Sequence, residues 1–415
     1  MREIYEGNVF SCMGCVEGEE VITYKLNGKM IIESFEKMWN RLSYIFTVKK
    51  QTKKSPNLYM DVNNVQIYDT KKGFVNVKRV IRNISSNWVS VKIEGGRNLI
   101  CTDDHPFYTV NRGRVKAKNL KIDDIVITNH SQISEETIEV DESVAWMLGF
   151  MICDSSYASG TPCASIALSG EDEIELKLKD VIKNMGDYYI ETVERHRGKK
   201  GEYKDLKFRS NTDTELSNLS IKLCNIYRSY RKNKREVPDD ILSWNKKARY
   251  AFLAGMIDAD GYINSENTNF STVQIGSTNK ALALEQMRIA ESLGMQASEF
   301  INHYDKKKPN KIRYRIEFIP DEKLINSIQC KKKREHFKVS KKEVLDACRE
   351  SKIISVKEIN KVDFSYDVTT ESDFFEVSGI YSHNCRSFLS PWKDENGNYK
   401  WEGRFNQGRQ ICLAS

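Results

Sequence analysis

"AFLAGMIDADGYI" (251–263) joins a run of apolar residues around Gly255 to two aspartates, Asp258 and Asp260, and a terminal glycine. The spacing predicts a mostly buried helix that stops at Asp260. A looser copy, "AWMLGFMICDSS" (145–156), keeps Gly149 and Asp154 but has Ser155 in the place of Gly261. The segment after each copy repeats as well. "ASIALSGEDEIELKLKDVIKNMG" (164–186) and "STVQIGSTNKALALEQMRIAESLGM" (271–295) both read as strand, turn and helix closing on Met and Gly. A basic hairpin comes after each, near 188–209 and 297–319. The middle of the chain therefore reads as two copies of helix–strand–strand–helix about a pseudo-two-fold axis.

The remainder bounds the function. The 415 residues suffice for two or three domains. No apolar run reaches the ~18–20 residues of a membrane span, and the N-terminus lacks the apolar segment of a secretion signal. The expectation is a cytoplasmic protein with no membrane partner. Ten cysteines scattered along such a chain read as reduced thiols. Cys12 and Cys15 form C-x-x-C, but no second pair accompanies them to complete a zinc site. Lys plus Arg outnumber Asp plus Glu by 65 to 58. The excess gathers in 195–209, 228–235, 306–315 and 331–334, which favours a polyanionic partner.

"LAGMIDADG" (253–261) is almost letter for letter the signature of the LAGLIDADG (DOD-type) homing endonucleases, and 147–155 resembles a second copy. Glycines inside each helix let two helix backbones approach. That contact would bring Asp154 and Asp260 together at two helix C-termini, where paired carboxylates call for a cation. The resemblance implies Mg²⁺ at Asp154 and Asp260, double-stranded DNA as partner, and a monomer with internal two-fold symmetry. The hairpins would read DNA through Arg195, Arg197, Lys199, Lys200, Lys207 and Arg209 in the first copy. Lys307, Lys308, Lys311, Arg313 and Arg315 would do so in the second. A basic residue near the end of each second strand assists cleavage in that family; Lys207 and Arg315 (or Lys311) are the candidates.

Strand-like alternation returns on both sides of this insert, over 15–130 and 353–384. "CVEGEEVITY" (15–24), "GGRNLICTDDHPFYTV" (95–110), "YDVTTESDFFEVSG" (366–379) and "YSHNC" (381–385) occur in that order. Together they resemble the blocks of inteins, self-splicing elements built on a horseshoe of β-strands, the Hint fold. The implied fold is multidomain: a mostly-β splicing domain formed by both ends, interrupted by an α/β pseudo-two-fold LAGLIDADG endonuclease. The implied boundaries are 1–14 and 385–415 for the flanks, 15–135 and 350–384 for the splicing domain, and 140–345 for the nuclease.

The resemblance assigns the chemistry residue by residue. Cys15 attacks the carbonyl of Gly14, with Thr102 holding the bond and His105 protonating the departing amine. Cys385 takes over the resulting thioester. Asn384 then cyclises beside His383 and cuts its own bond to Cys385, while Asp367 coordinates the two cleavages. Many inteins carry a further His in the block before the junction; this chain has Asp373 and Phe374 there. Splicing needs no cofactor.

Joined, the flanks read "CMGCRSFLSPW", which resembles the active-site region of anaerobic ribonucleoside-triphosphate reductases. Flanks this short predict no reductase activity. Two other readings remain open: a LAGLIDADG unit that binds DNA without cutting, and a hedgehog-like autoprocessing domain.

Overall fold

The computed structural model describes residues 14–50, 57–130, 133–157, 164–169, 172–185, 188–196, 202–210, 237–265, 271–302, 312–337, 348–384, 389–393, 399–405 and 409–413. Contacts divide the chain into two units. One comprises Met1–Lys29, Glu33–Asn129 and Cys348–Ser415; the other comprises Met30–Ile32 and His130–Ala347.

The first unit is built on two long antiparallel strands, Gly73–Ile93 and Cys348–Thr370. They pair from Ile353↔Ile93 to Thr370↔Val77, with shifts of register at three places. β-Branched and aromatic residues fill them, as a half-buried pleated surface requires. The shifts are bulges that let strands this long bend and twist. The short strand Val16–Glu17 is inserted between Cys348–Thr370 and Asn98–Thr102, with Val16 opposite Tyr366 on one side and Cys101 on the other. The strand Ile380–His383 pairs with Phe374–Val377, Pro106–Thr109 and Ile125–Asn129. Both ends of the 14–384 segment thus enter one sheet. Ile125–Asn129 also pairs with the start of Cys348–Thr370, setting Asn129 opposite Cys348 where the chain leaves this unit and returns.

The second unit repeats itself. The helix Glu142–Asp154 precedes a sheet ordered Ser155–Tyr157, Ala164–Leu168, Glu202–Ser210, Tyr188–His196. The helix Lys246–Asp260 precedes one ordered Tyr262–Asn264, Thr272–Ser277, Arg313–Phe318, Ala297–Asn302. The helices Asp172–Asn184 and Lys280–Ser292 hold equivalent places in sequence. The two motif helices pack through their glycines. A Cβ on Gly149 would lie 2.0 Å from the Phe252 carbonyl oxygen, and one on Gly255 would lie 2.0 Å from that of Trp146. Phe252 and Trp146 each stand three residues before the glycine of their own helix. The contact is therefore reciprocal, as an internal two-fold demands.

Candidate functional site

Strand register assembles the N-terminal junction. One residue before Val16, the same antiparallel steps set Cys15 between Thr102 and Asp367. Cys15 is buried. Its amide donates to Thr102 Oγ1 at 3.0 Å, and its carbonyl accepts from the Thr102 amide at 2.9 Å. The Thr102 hydroxyl lies 2.8 Å from Asp104 Oδ1, closer than the 3.3 Å to the Cys15 carbonyl, so Asp104 takes its hydrogen and leaves the lone pairs for Cys15. Burial pushes the Asp104 carboxyl upward. On the far side of the thiol, Asn83 Nδ2 donates to Cys15 Sγ at 3.3 Å. Asp367 is fully buried and accepts from the Val368 amide at 2.8 Å.

The peptide before Cys15 is pressed against the turn that carries His105. Gly14 has φ +103, and a Cβ there would lie 2.2 Å from Pro106 Cδ and 3.0 Å from His105 Cα. Only glycine meets both conditions. His105 is fully buried, with Nε2 2.7 Å from Ser382 Oγ. Burial drags its pKa down to about 4, with smaller pushes from His383 and Arg114; the Gly14 backbone opposes them. The imidazole is therefore neutral at pH 7. Nδ1 makes no hydrogen bond of good geometry, although the Gly14 backbone lies near enough to influence the ring.

Three residues downstream of Tyr381 the chain reaches Asn384. His383 Nδ1 lies 2.6 Å from the Asn384 carbonyl oxygen, and burial lowers its pKa. The neutral ring donates to that oxygen from Nδ1. The Phe374 ring meets His383 edge-on, 4.8 Å between centroids. Asn384 is fully buried, and its amide donates to the Asp373 carbonyl at 2.9 Å. Cys385 lies outside the described residues.

A profile of the intein splicing domain matches residues 29–384. The chain belongs to that family. As an intein it is 22% identical over 337 residues to the replication factor C small subunit of Methanocaldococcus jannaschii, a match covering 72% of this chain and 17% of that protein. It is 25% identical over 403 residues to the DNA polymerase of Acanthamoeba polyphaga mimivirus, covering 92% of this chain and 21% of the polymerase. The intein thus spans about a fifth of the length of either curated relative. Among solved structures it is similar to the TvoVMA intein (22% identity, TM-score 0.25, 29% of this chain and 72% of that one). It is also similar to the homing endonuclease I-WcaI bound to its DNA recognition sequence (15% identity, TM-score 0.30, 50% and 88%).

In the intein's second unit, the motif helices end on Asp154 and Asp260, each five residues past its interfacial glycine. Among the described residues, no group of three or more His, Cys, Asp or Glu side chains is placed to hold a metal. Two carboxylates beside helix C-termini are nonetheless a donor set that suits a hard cation completed by water and phosphate oxygens.

Sequence reading missed the roles of two residues here. Asp258, in the same motif, accepts from Trp146 Nε1 at 2.7 Å and from the Gln329 and Cys330 amides at 2.9 Å, locking the helix pair to the following segment. Lys333 Nζ donates to the carbonyls of Ile257 (2.8 Å), Asp258 (2.7 Å) and Ala259 (3.3 Å), setting a positive charge at the negative end of the helix beside Asp260. The run 331–334 signalled charge, but not that one lysine caps a helix.

The expected DNA readers are partly engaged within the protein. Arg195 pairs with Asp205 at 3.2 Å, Arg209 with Glu191 at 2.8 Å, and Arg315 donates to Gln274 Oε1 at 3.2 Å. Arg313 is exposed opposite Asn302, and Lys207 stands opposite Ser165 and Glu191. Arg197, Lys199, Lys200, Lys307, Lys308 and Lys311 lie outside the described residues. Counted from Asp154 and Asp260, the register matches Lys207 to Glu317 and Arg315 to Asp205.

Proposed function

We propose that this intein excises residues 15–384 autocatalytically, joins Gly14 to Cys385, and carries a site-specific double-stranded DNA endonuclease in its second unit. The observation that carries the splicing reading is the convergence of Cys15, Thr102, His105, Asp367 and the Ile380–His383 strand in one sheet. Cys15 Sγ attacks the Gly14 carbonyl, supported by the Asn83 amide. The Cys15 nitrogen departs as an amine, with His105 as proton carrier. Cys385 exchanges onto the thioester. Asn384 Nδ2 then attacks its own carbonyl carbon, whose oxygen accepts a hydrogen bond from His383 Nδ1. The freed Cys385 amine captures the acyl group by an S-to-N shift, which leaves an ordinary peptide bond.

For DNA, Asp154 and Asp260 would hold Mg²⁺, which supplies Lewis-acid polarisation of the scissile phosphates when bound. Lys333 offsets the helix dipole beside Asp260. The exposed face of each hairpin would lie along the duplex. The target would be the uninterrupted host gene, whose product the flanks liken to an anaerobic ribonucleoside-triphosphate reductase.

The test is the intact mass of the full chain after expression. An excised species of residues 15–384 beside a ligated 1–14/385–415 peptide is the expected result. A single unprocessed chain, stable in reductant at neutral pH, would overturn the splicing reading. Linearisation of a plasmid carrying the uninterrupted site tests the nuclease.

A further inference from the structure

Asn cyclisation is slow in free peptides because the carboxamide is a poor nucleophile and rotates freely. The protein must hold the carboxamide and make its Nδ2–H bonds easier to break. In many inteins a histidine of the preceding block stands near this step; here that place carries Asp373 and Phe374. The Phe374 ring packs edge-on against His383 and offers no group that carries protons.

Thr370 occupies the space beside the Asn384 side chain, and both residues are buried. With Oδ1 turned toward Thr370, the carboxamide accepts from the Thr370 amide at 2.8 Å and from its hydroxyl at 3.1 Å, while Nδ2 donates to the Asp373 carbonyl at 3.1 Å. The opposite orientation leaves only a 3.1 Å contact from Nδ2 to Thr370 Oγ1. The first satisfies both ends of a fully buried amide and is the better account. Backbone geometry helps create it. The strand pair shifts register between Thr369 and Thr370, with Lys78 as the extra residue on the partner strand. Such a bulge bends the strand and re-aims its groups. The Thr370 hydroxyl has a second acceptor, the Phe374 carbonyl, at 3.2 Å.

We propose that Thr370 is a catalytic hydrogen-bond donor of the C-terminal cleavage, fixing and polarising the Asn384 carboxamide while His383 serves the Asn384 carbonyl oxygen. The proposal rests on the splicing reading above. In the step, Nδ2 forms a bond to the Asn384 carbonyl carbon and the bond from that carbon to the Cys385 nitrogen breaks. Nδ2 loses one proton and the Cys385 nitrogen gains one, so no outside reagent is consumed. As the Nδ2–H bond loosens, negative charge spreads onto Oδ1, where the two Thr370 donors stabilise it. The Asp373 carbonyl accepts the second Nδ2 hydrogen and keeps that end oriented.

The full chain is compared with Thr370→Val and Thr370→Ser. Two readouts are followed: hydroxylamine cleavage after Gly14, which reports the thioester, and release of the C-terminal flank with a succinimide on the excised intein. Thr370→Val should slow flank release about tenfold and accumulate the branched intermediate, with hydroxylamine cleavage held within about twofold. Thr370→Ser, which keeps the donor, should restore release to within about threefold of the natural chain. Flank release at the natural rate in Thr370→Val, or a serine variant as slow as the valine one, would overturn the proposal. Loss of both activities in Thr370→Val marks misfolding, and Thr370→Ala is then read by the same criteria. Absence of both products from the natural chain would instead sink the splicing reading, and this proposal with it.

Discussion

Ser382 Oγ lies 2.7 Å from Nε2 of the buried, neutral His105, although 277 residues separate them in the chain. The hydrogen bond sets which ring nitrogen carries the proton. If the hydroxyl donates to Nε2, Nδ1 keeps its hydrogen on the side of the Gly14 backbone. Ser382→Ala should therefore slow hydroxylamine cleavage at the N-terminal junction by about three- to tenfold, the value of one hydrogen bond. It should also change the pH profile of that cleavage. An unchanged rate and profile would show that Ser382 does not act through His105.

Gly14 gives a harsher test of the same junction. Any side chain there meets Pro106 and must adopt φ +103. Gly14→Ala should reduce thioester formation by about 5- to 150-fold, since strain of this kind costs roughly 1–3 kcal/mol. The thioester yield at fixed time measures it.

Acid should loosen the first unit before it damages chemistry elsewhere. His105 has a folded pKa of about 4 against an ordinary value of 6.5. Between those values the unfolded chain binds more protons, so stability is fully present above pH 6.5 and is lost as pH falls toward 4. The loss should be on the order of 3 kcal/mol, with His383 adding to it in the same direction. Denaturant unfolding of a Cys15→Ala, Asn384→Ala chain from pH 8 to 4 reads it out without processing.

The two proposed activities should separate. Asp154→Asn, or chelation of divalent ions with EDTA, should abolish DNA cleavage and leave splicing within about twofold, because Asp154 belongs to the second unit and Cys15, Thr102, His105 and Asn384 to the first. Gly255→Val should do likewise through packing, since a side chain there meets the Trp146 carbonyl and overpacking costs about 1–3 kcal/mol. Plasmid linearisation and mass spectrometry of the same preparations report both.

The candidate residues of the first unit were reached through the resemblance to the intein blocks, which are short because reactive side chains cluster locally. Thr102 and His105 share one short block, and His383 and Asn384 are adjacent. The close helix contact through Gly149 and Gly255 was expected from the resemblance to the LAGLIDADG motif, and both glycines lie at that contact. Asn83, Ser382 and Thr370 were not legible. Each meets a partner 14 to 277 residues away in the chain, and a Ser, Thr or Asn in a strand carries no local sign of its partner. Lys333 was hidden differently, as one lysine among several whose ammonium alone reaches the helix end. Lys207 and Arg315 are alike in residue type, and only the ladder shows that they hold different positions in their sheets.

Asn129 stands directly across a strand pair from Cys348. Facing Cα atoms in such a pair are roughly 4.5–5.5 Å apart, the span a two-residue turn already bridges. Asn129 and Cys348 thus meet as the two ends of a hairpin do. Because closing a longer loop costs only about 0.6 kcal/mol per doubling, a change in the length of chain between Asn129 and Cys348 alters the free energy of their pairing very little.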